Sequence, residues 1–523
     1  MRRLVTLVFL TIFYLYFFHS GPVFSFEYKV FGLKPPPESK VVGLTAEGYE
    51  SLLQIMKQGF DEGIDLGSQF CVYVDGELVV DLAGGFTDRS YTTPYTTNTL
   101  QQVFSSSKFV TSMVFLHLVE TKRISLSDPI IKYWPEFGQG GKSHVTVGLL
   151  LQHHGGVAFL DLERVPSLEE MVDLDALAKK IAGQPHNFDG EEVSAYHAVT
   201  RGWFLNEIAR RATGMSVRQI MYKEILPKLN NGTKVFGVED HRDLNGAFPY
   251  EFHYGIPDSP AALSQSVRSR VVPLDSSPFA YKLVHILTPP WVFRLFGEGF
   301  IPTAIIKAYM LKGTYPNRSL FSSGPAFTGT KEFPWSYNDP TCRRSESPSF
   351  NGLTNARTLA RIAEVVRRSS IHNSTTGLVS YKTFNESFIA RAPELDKVID
   401  KPLIFTKIGT GVFNKGFGWG TKYHTGDGLD FYGWAGAGGS IVVFSLEYNI
   451  AFAFAMNFAH LQSVGDKRSW RLIGELLRIV KEKRDELERD EKVRARWVKF
   501  ENERKAKEEG AITKVDTKNK DEL

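Results

Sequence analysis

Strand-forming sequence sits early and late in this chain, with helix-forming sequence between, and this ordering constrains the fold more than any other feature. The early stretch, "FCVYVDGELVVDLAGGF" from Phe70 to Phe86, alternates and contains Asp75-Gly76, a dipeptide that between β-rich runs signals a tight hairpin. The late stretch, "FYGWAGAGGSIVVFSLEYNIAFAFAMN", has a glycine-rich turn followed by two apolar runs, Ile441–Glu447 and Ile450–Asn457, joined near Tyr448-Asn449. Helical spacing marks Thr45–Phe60, Phe104–Glu120, Ala198–Thr213 with a C-cap at Gly214, Ala356–Arg367, and an amphipathic Trp470–Val480 expected to pack on the late strands. One sheet assembled from both ends of the chain, with a helical subdomain inserted, follows.

The ends carry their own signals. Arg2 and Arg3 precede an apolar run, Leu4–Phe18, followed by Ser20, Gly21 and Pro22. This reads as a secretory signal over residues 1–25, the alternative being an uncleaved anchor, since a comfortable span needs about 20 residues. The last residues, Lys520-Asp521-Glu522-Leu523, form the address read by a KDEL-type retention receptor, which implies the lumen of the endoplasmic reticulum. Sequons at Asn231, Asn317, Asn373 and Asn385 fit a lumenal glycoprotein. From Lys481 the chain is dense in charge and is expected to be a solvated helix fraying into a disordered tail. The domain reading is therefore a signal or anchor over 1–25, a globular domain over 40–480 and a charged tail over 481–523.

A net charge of +4 over 523 residues, with no basic patch interleaved with aromatics, gives nucleic-acid binding no support. With only Cys71 and Cys342, a disulfide scaffold and a cysteine metal site are excluded, while one bridge and two separate thiols are equally compatible. His153-His154 has no third ligand at zinc spacing, so no metal is expected. No Gly-x-Ser-x-Gly elbow is present.

The chemistry points to "FSSSKFV", Phe104–Val110. On a helix only residues three or four apart share a face, so of the three serines only Ser105 can meet the Lys108 amine. A serine hydroxyl needs an adjacent base. A lysine serves once its pKa falls from about 10.4 to near 7, which burial among Phe104, Phe109 and Val110 and a neighbouring charge would supply. Ser-x-x-Lys alone is common by chance and needs partners.

The partners appear in order along the chain. "TLQQVFSSSKFVTS" resembles the nucleophile helix of serine β-lactamases and penicillin-binding proteins, particularly the class C group and related esterases, with Thr99 where that family places a threonine. "HVTVGLLLQHHGGV", "EVSAYHAVTRGWFLNEIARRATG", "NGLTNARTLARIAEVV" and "GWAGAGGS" are similar to its later segments, over roughly residues 45–480. The resemblance implies an α/β fold of the β-lactamase/transpeptidase type, with an antiparallel sheet flanked by helices. It implies Ser105 as the acylated nucleophile, Lys108 taking or relaying its proton, and Tyr196 as general base or acid with its pKa lowered by the lysine. It implies the N–H groups of Ser105 and Ala437 as an oxyanion hole beside Gly436, with no cofactor.

Two departures matter. The second motif reads Tyr196-His197-Ala198 in place of Tyr-x-Asn, and Trp434 stands where the third motif has a cation. Both remove polar groups that orient a lactam, whereas related esterases tolerate them, so an ester, thioester or amide acyl group, lipid-like included, is the expected substrate. A peptidase and a non-catalytic binding protein keeping the fold are the alternatives. His197 reads as a packed or exposed helix residue rather than a catalytic base. The apolar, proline-broken stretch 279–311 reads as a packing element or, functionally, as a lid, acyl channel or membrane-facing surface.

Overall fold

The computed structural model describes residues 5–6, 8–9, 37–62, 65–229, 234–235, 238–239, 250–257, 264–276, 311–322, 336–413, 430–459 and 467–518. Most of the predicted signal or anchor over 1–25, nearly all of the 279–311 stretch, the sequon at Asn231 and the terminal Lys520–Leu523 lie outside them. The chain divides into two compact units, Met1–Leu472 and Ile473–Leu523. No helix among the described residues is long and apolar enough to cross a membrane.

The first unit is organised on one sheet. Its strands are β1 (Val41–Thr45), β2 (Gly67–Val74), β3 (Glu77–Gly85), β4 (Gly411–Phe413), β5 (Phe431–Ala435), β6 (Ile441–Ser445) and β7 (Ile450–Met456). Their order is β4-β5-β6-β7-β2-β3 with β1 beside β3, all antiparallel, and a two-residue strand, Lys234–Val235, adds parallel to the start of β3. The seam is β2 against β7, Ser68 opposite Met456 through Val74 opposite Ile450, so both ends of the chain do build one sheet. The predicted hairpin forms, with Asp75 at φ 50° and Gly76 at φ 94°, the two positive angles a tight turn between twisted strands requires.

The helices include α1 (Glu50–Asp61), α2 (Ser106–Glu120), α3 (Thr200–Thr213), α4 (Ala356–Arg368) and α5 (Lys467–Lys518). The predicted Thr45–Phe60 helix starts later than read, because Val41–Thr45 pairs with β3 instead. Gly214 does close α3, at φ 73°. α2 is buried from Ser106 to Leu118. A helix buried on every face is a core helix, and α2 packs against β5, β6 and α4. The charged stretch from Lys481 is helical to Lys518, laced by pairs such as Arg478–Glu482 and Lys492–Glu488. Trp470–Val480 falls within the same helix. Cys71 and Cys342 are buried free thiols.

A second, three-stranded sheet matters for position. Gln101–Gln102 and Phe252–Tyr254 both pair with Gly352–Thr354, and Val103 N–H donates to Gly352 O at 2.9 Å. This holds the serine-rich loop Ser345–Asn351 against the start of α2.

Candidate active site

Ser105 is the residue at the N-terminal boundary of α2, and Phe104 before it adopts φ 46°, a left-handed turn uncommon for a bulky side chain. The turn is locked from two sides. The Phe104 ring meets Tyr337 edge-on at 4.7 Å, and Ser440 Oγ donates to Val103 O at 2.8 Å and shares a hydrogen with Ser106 Oγ at 3.1 Å. Ser107 Oγ accepts from Gly352 N–H at 3.0 Å. The neighbouring serines are thus structural, as helical spacing implies, and Ser105 is the one left half-buried.

Lys108 is 2% exposed. Its Nζ lies 3.2 Å from Ser105 Oγ, 2.6 Å from Ala198 O and 3.0 Å from Ser349 O. Burial pushes its pKa well below the ordinary value, the Arg201 charge adds to this, and the position in the first turn of α2 works in the same direction. The amine's donors are directed at these three oxygens, so the same nitrogen that the two carbonyls fix in place touches the serine hydroxyl. Ser349 is delivered by Gly202 in α3: a Cβ there would lie 2.2 Å from Ser349 N, and Gly202 N–H donates to Ser349 Oγ at 2.7 Å.

Tyr196 precedes α3. Its ring lies under Lys108 Nζ at 4.8 Å, its hydroxyl hydrogen-bonds Ser105, and it accepts from Trp434 Nε1 at 3.0 Å. The expectation that the lysine lowers the tyrosine pKa is corrected here. Burial pushes Tyr196 up to about 12, outweighing the bonds from Ser105 and Trp434. Burial lowers the Lys108 amine at the same time. The result is a connected hydrogen-bond chain: Trp434 Nε1–H donates to Tyr196 Oη, Tyr196 Oη is bonded to Ser105 Oγ, and Lys108 Nζ donates to Ser105 Oγ at 3.2 Å.

The histidines are structural. His197 is fully buried, Nδ1–H donates to Ala195 O at 2.5 Å, and Nε2 accepts from Val157 N–H at 3.2 Å. Burial lowers its pKa to about 3. His153, at φ 66°, accepts from His197 N–H at 2.9 Å and packs 4.7 Å from the Tyr196 ring. His154 bonds Gln152 O and Glu394.

The glycine-rich loop after β5 comes in beside the nucleophile turn. A Cβ on Gly436 would lie 2.3 Å from Val103 O and 3.2 Å from the Phe104 Cβ, so only glycine permits this approach. Ala437 follows at an exposed position. Trp434, read from sequence as a missing cation, is the hydrogen-bond partner of Tyr196. Arg201, Ser349 and Ala198 O were not read from sequence, because backbone acceptors carry no sequence signal and a lone arginine in a helix reads as solvated. An apolar wall flanks Tyr196, with Ala158, Phe159 and Val398 packed on it and Phe188 and Ile399 beside them; Tyr315 stacks on Phe159 at 5.7 Å.

Among solved structures, a family VIII carboxylesterase matches with TM-score 0.64 at 23% identity, covering 84% of this chain and 100% of that one. A penicillin-binding protein homologue from Caulobacter crescentus matches with TM-score 0.62 at 24% identity, covering 83% of this chain and 98% of that one. Both establish likeness of fold. Esterase/beta-lactamase LipL from Mycobacterium tuberculosis is 32% identical over 31% of this chain and 37% of its own length. Esterase EstB from Burkholderia gladioli is 26% identical over 39% of this chain and 54% of its own length. The matched region thus spans about half or less of each relative. The family model described as Beta-lactamase matches residues 54–475, most of the chain and every element of the site, and the chain belongs to that family.

Proposed function

We propose that this protein is a serine hydrolase that cleaves ester substrates through an acyl-enzyme on Ser105. The observation that carries the reading is the convergence on Ser105 Oγ of the buried Lys108 Nζ, 3.2 Å away, and the Tyr196 hydroxyl, itself held by Trp434 Nε1. Ser105 Oγ attacks the acyl carbonyl as its proton passes to Lys108. The negative charge that develops on the carbonyl oxygen meets the N–H groups of Ser105 and Ala437 at the α2 N-terminus. The C–O bond to the alcohol then breaks as Tyr196, protonated and beside Oγ, gives the leaving oxygen its proton, and the proton taken by Lys108 passes to the phenolate, restoring both groups. Water then attacks the acyl-serine, giving its proton to Lys108 while Tyr196 returns one to Ser105 Oγ as the C–O bond to serine breaks; the acid leaves and the Lys108 proton again resets Tyr196.

Ester chemistry is favoured over lactam chemistry by the two departures in the motifs. Ala198 offers only a methyl where an asparagine would orient an amide, and its carbonyl is taken by Lys108. Trp434 spends its only polar hydrogen on Tyr196. The relatives named esterases are consistent with this. The finer reading is a lipid-like acyl substrate, supported by the apolar wall beside Tyr196 and by the composition of the 279–311 stretch. Placement in the lumen of the endoplasmic reticulum is supported by the charged apolar start, the Lys520–Leu523 address and the exposed sequon asparagines Asn373 and Asn385. The two named relatives are bacterial and lend no support to that placement.

The test is turnover of nitrophenyl esters of increasing acyl length, with intact-mass detection of the acyl-enzyme. Wild type should accumulate an adduct on Ser105 and favour longer chains, and charged substitutions within 279–311 should impair long esters while sparing short ones. Turnover of no ester by folded protein contradicts the reading, and equal loss for long and short esters removes its lipid-like part.

A further inference from the structure

Arg201 is a costly residue in three ways. It is the second residue of α3, where a cation opposes the helix dipole. Its side chain is completely buried. Among the described residues no carboxylate pairs with it: Nε donates to Leu151 O at 3.1 Å, Nη1 to Lys108 O at 3.3 Å, and Nη2 to Ser112 Oγ at 2.7 Å and weakly to Gly409 O at 3.5 Å. A buried charge left without a counter-ion normally carries a penalty of several kcal/mol. Such a group could be replaced by an apolar one if packing were its only task. Instead it grips the backbone of the lysine that faces the nucleophile.

We infer that Arg201 is a positioning residue that acts through Lys108, holding it as a free amine and so fixing the pH above which Ser105 can be acylated. This rests on the reading of Lys108 as the base. Arg201 is held down at about 10 by burial and is still charged at neutral pH. The other ionisable groups around Lys108 offer no competing charge. Tyr196, from the segment before α3, is raised by burial, and His153, from the turn after Leu151, is lowered by it, so both are neutral. Tyr254, which reaches Thr111 one turn along α2 from the second sheet, is raised by burial as well. Asp396 lies beyond Tyr196, where Ser194 Oγ and the N–H groups of Val398 and Ile399 bind its carboxyl. Arg201 is therefore the fixed charge that Lys108 feels, and it repels a second proton at Nζ.

The experiment is the pH dependence of Ser105 labelling by a fluorophosphonate, followed as a second-order rate on the full chain. In Arg201→Gln the midpoint of the acid limb should rise by about one pH unit. Below the wild-type midpoint the rate should then fall about tenfold, recovering at high pH. Arg201→Lys, which keeps a charge, should hold the midpoint near that of wild type. A Gln variant slowed by one factor at every pH, with its midpoint unmoved, would overturn the inference and leave Arg201 a packing residue. Should the Gln variant not fold, Ser112→Asp sets a carboxylate against the same guanidinium and must move the midpoint the same way; an unmoved midpoint overturns the inference equally. Failure of the underlying reading looks different: Lys108→Met would then label with the wild-type limb.

Discussion

At the scale of residues, the account turns on which groups hold protons. Burial raises Tyr196 and lowers Lys108, and the proposed mechanism accordingly uses the amine as the base and the phenol as the acid. Tyr196→Phe should therefore lower kcat for a short ester by about 10²–10⁴, the usual worth of a positioned acid, while leaving the acid limb of the pH profile in place. A limb that disappeared would make the tyrosine the titrating base. Trp434→Phe removes one hydrogen bond to Oη and should lower kcat about fivefold, the effect of about 1 kcal/mol. Steady-state kinetics on both variants checks each figure. The Ser105–Lys108 pair was legible because helical spacing selects one serine of three. Arg201 was not, since its meaning comes from being buried without a counter-ion, which only packing reveals. The tyrosine pKa was misjudged for the same reason: sequence puts a lysine near the phenol but does not say that both are dry.

Among elements, α2 and the glycine loop are the parts the site depends on most. α2 is a core helix first, and Phe115, fully buried, anchors it. Phe115→Ala should cost about 3–5 kcal/mol of stability in denaturant unfolding. Gly436→Ala acts differently. Its methyl would drive against Val103 O, 2.3 Å away, so the loop must retreat from the nucleophile turn. Ester turnover should fall by about 10²-fold, the worth of one oxyanion donor, with much less effect on thermal unfolding. Elements with strong local signals were legible: the Asp75-Gly76 hairpin, the Gly214 cap, the long apolar run of α2. Val41–Thr45 was not, because none of the five residues is fully buried and the run lacks the apolar alternation of a half-buried strand.

For the molecule as a whole, buried neutral histidines link stability to acid. Burial lowers His197 to about 3 and His253 to about 4, and lowers His153 and His186 as well. The unfolded chain takes up protons below about 6.5 while the native state does not, so stability is lost as pH falls through that window toward the native values. Each of His197 and His253 contributes at most about 1.4 kcal/mol per pH unit. Melting temperature should therefore drop steadily from neutral pH to about 4, and a flat profile would contradict the burial of these rings. The assembly of the sheet from both chain ends was legible because apolar runs sit there in sequence. The convergence of Ser105, Tyr196 and Trp434 came only from the motifs in order, since nothing local to any of the three specifies the others. The most direct test of the central claim is fluorophosphonate labelling of the purified, folded protein, with the modified peptide identified by mass spectrometry. The account predicts one adduct, on Ser105, lost in Ser105→Ala; no adduct on folded protein, or one that survives that substitution, contradicts it.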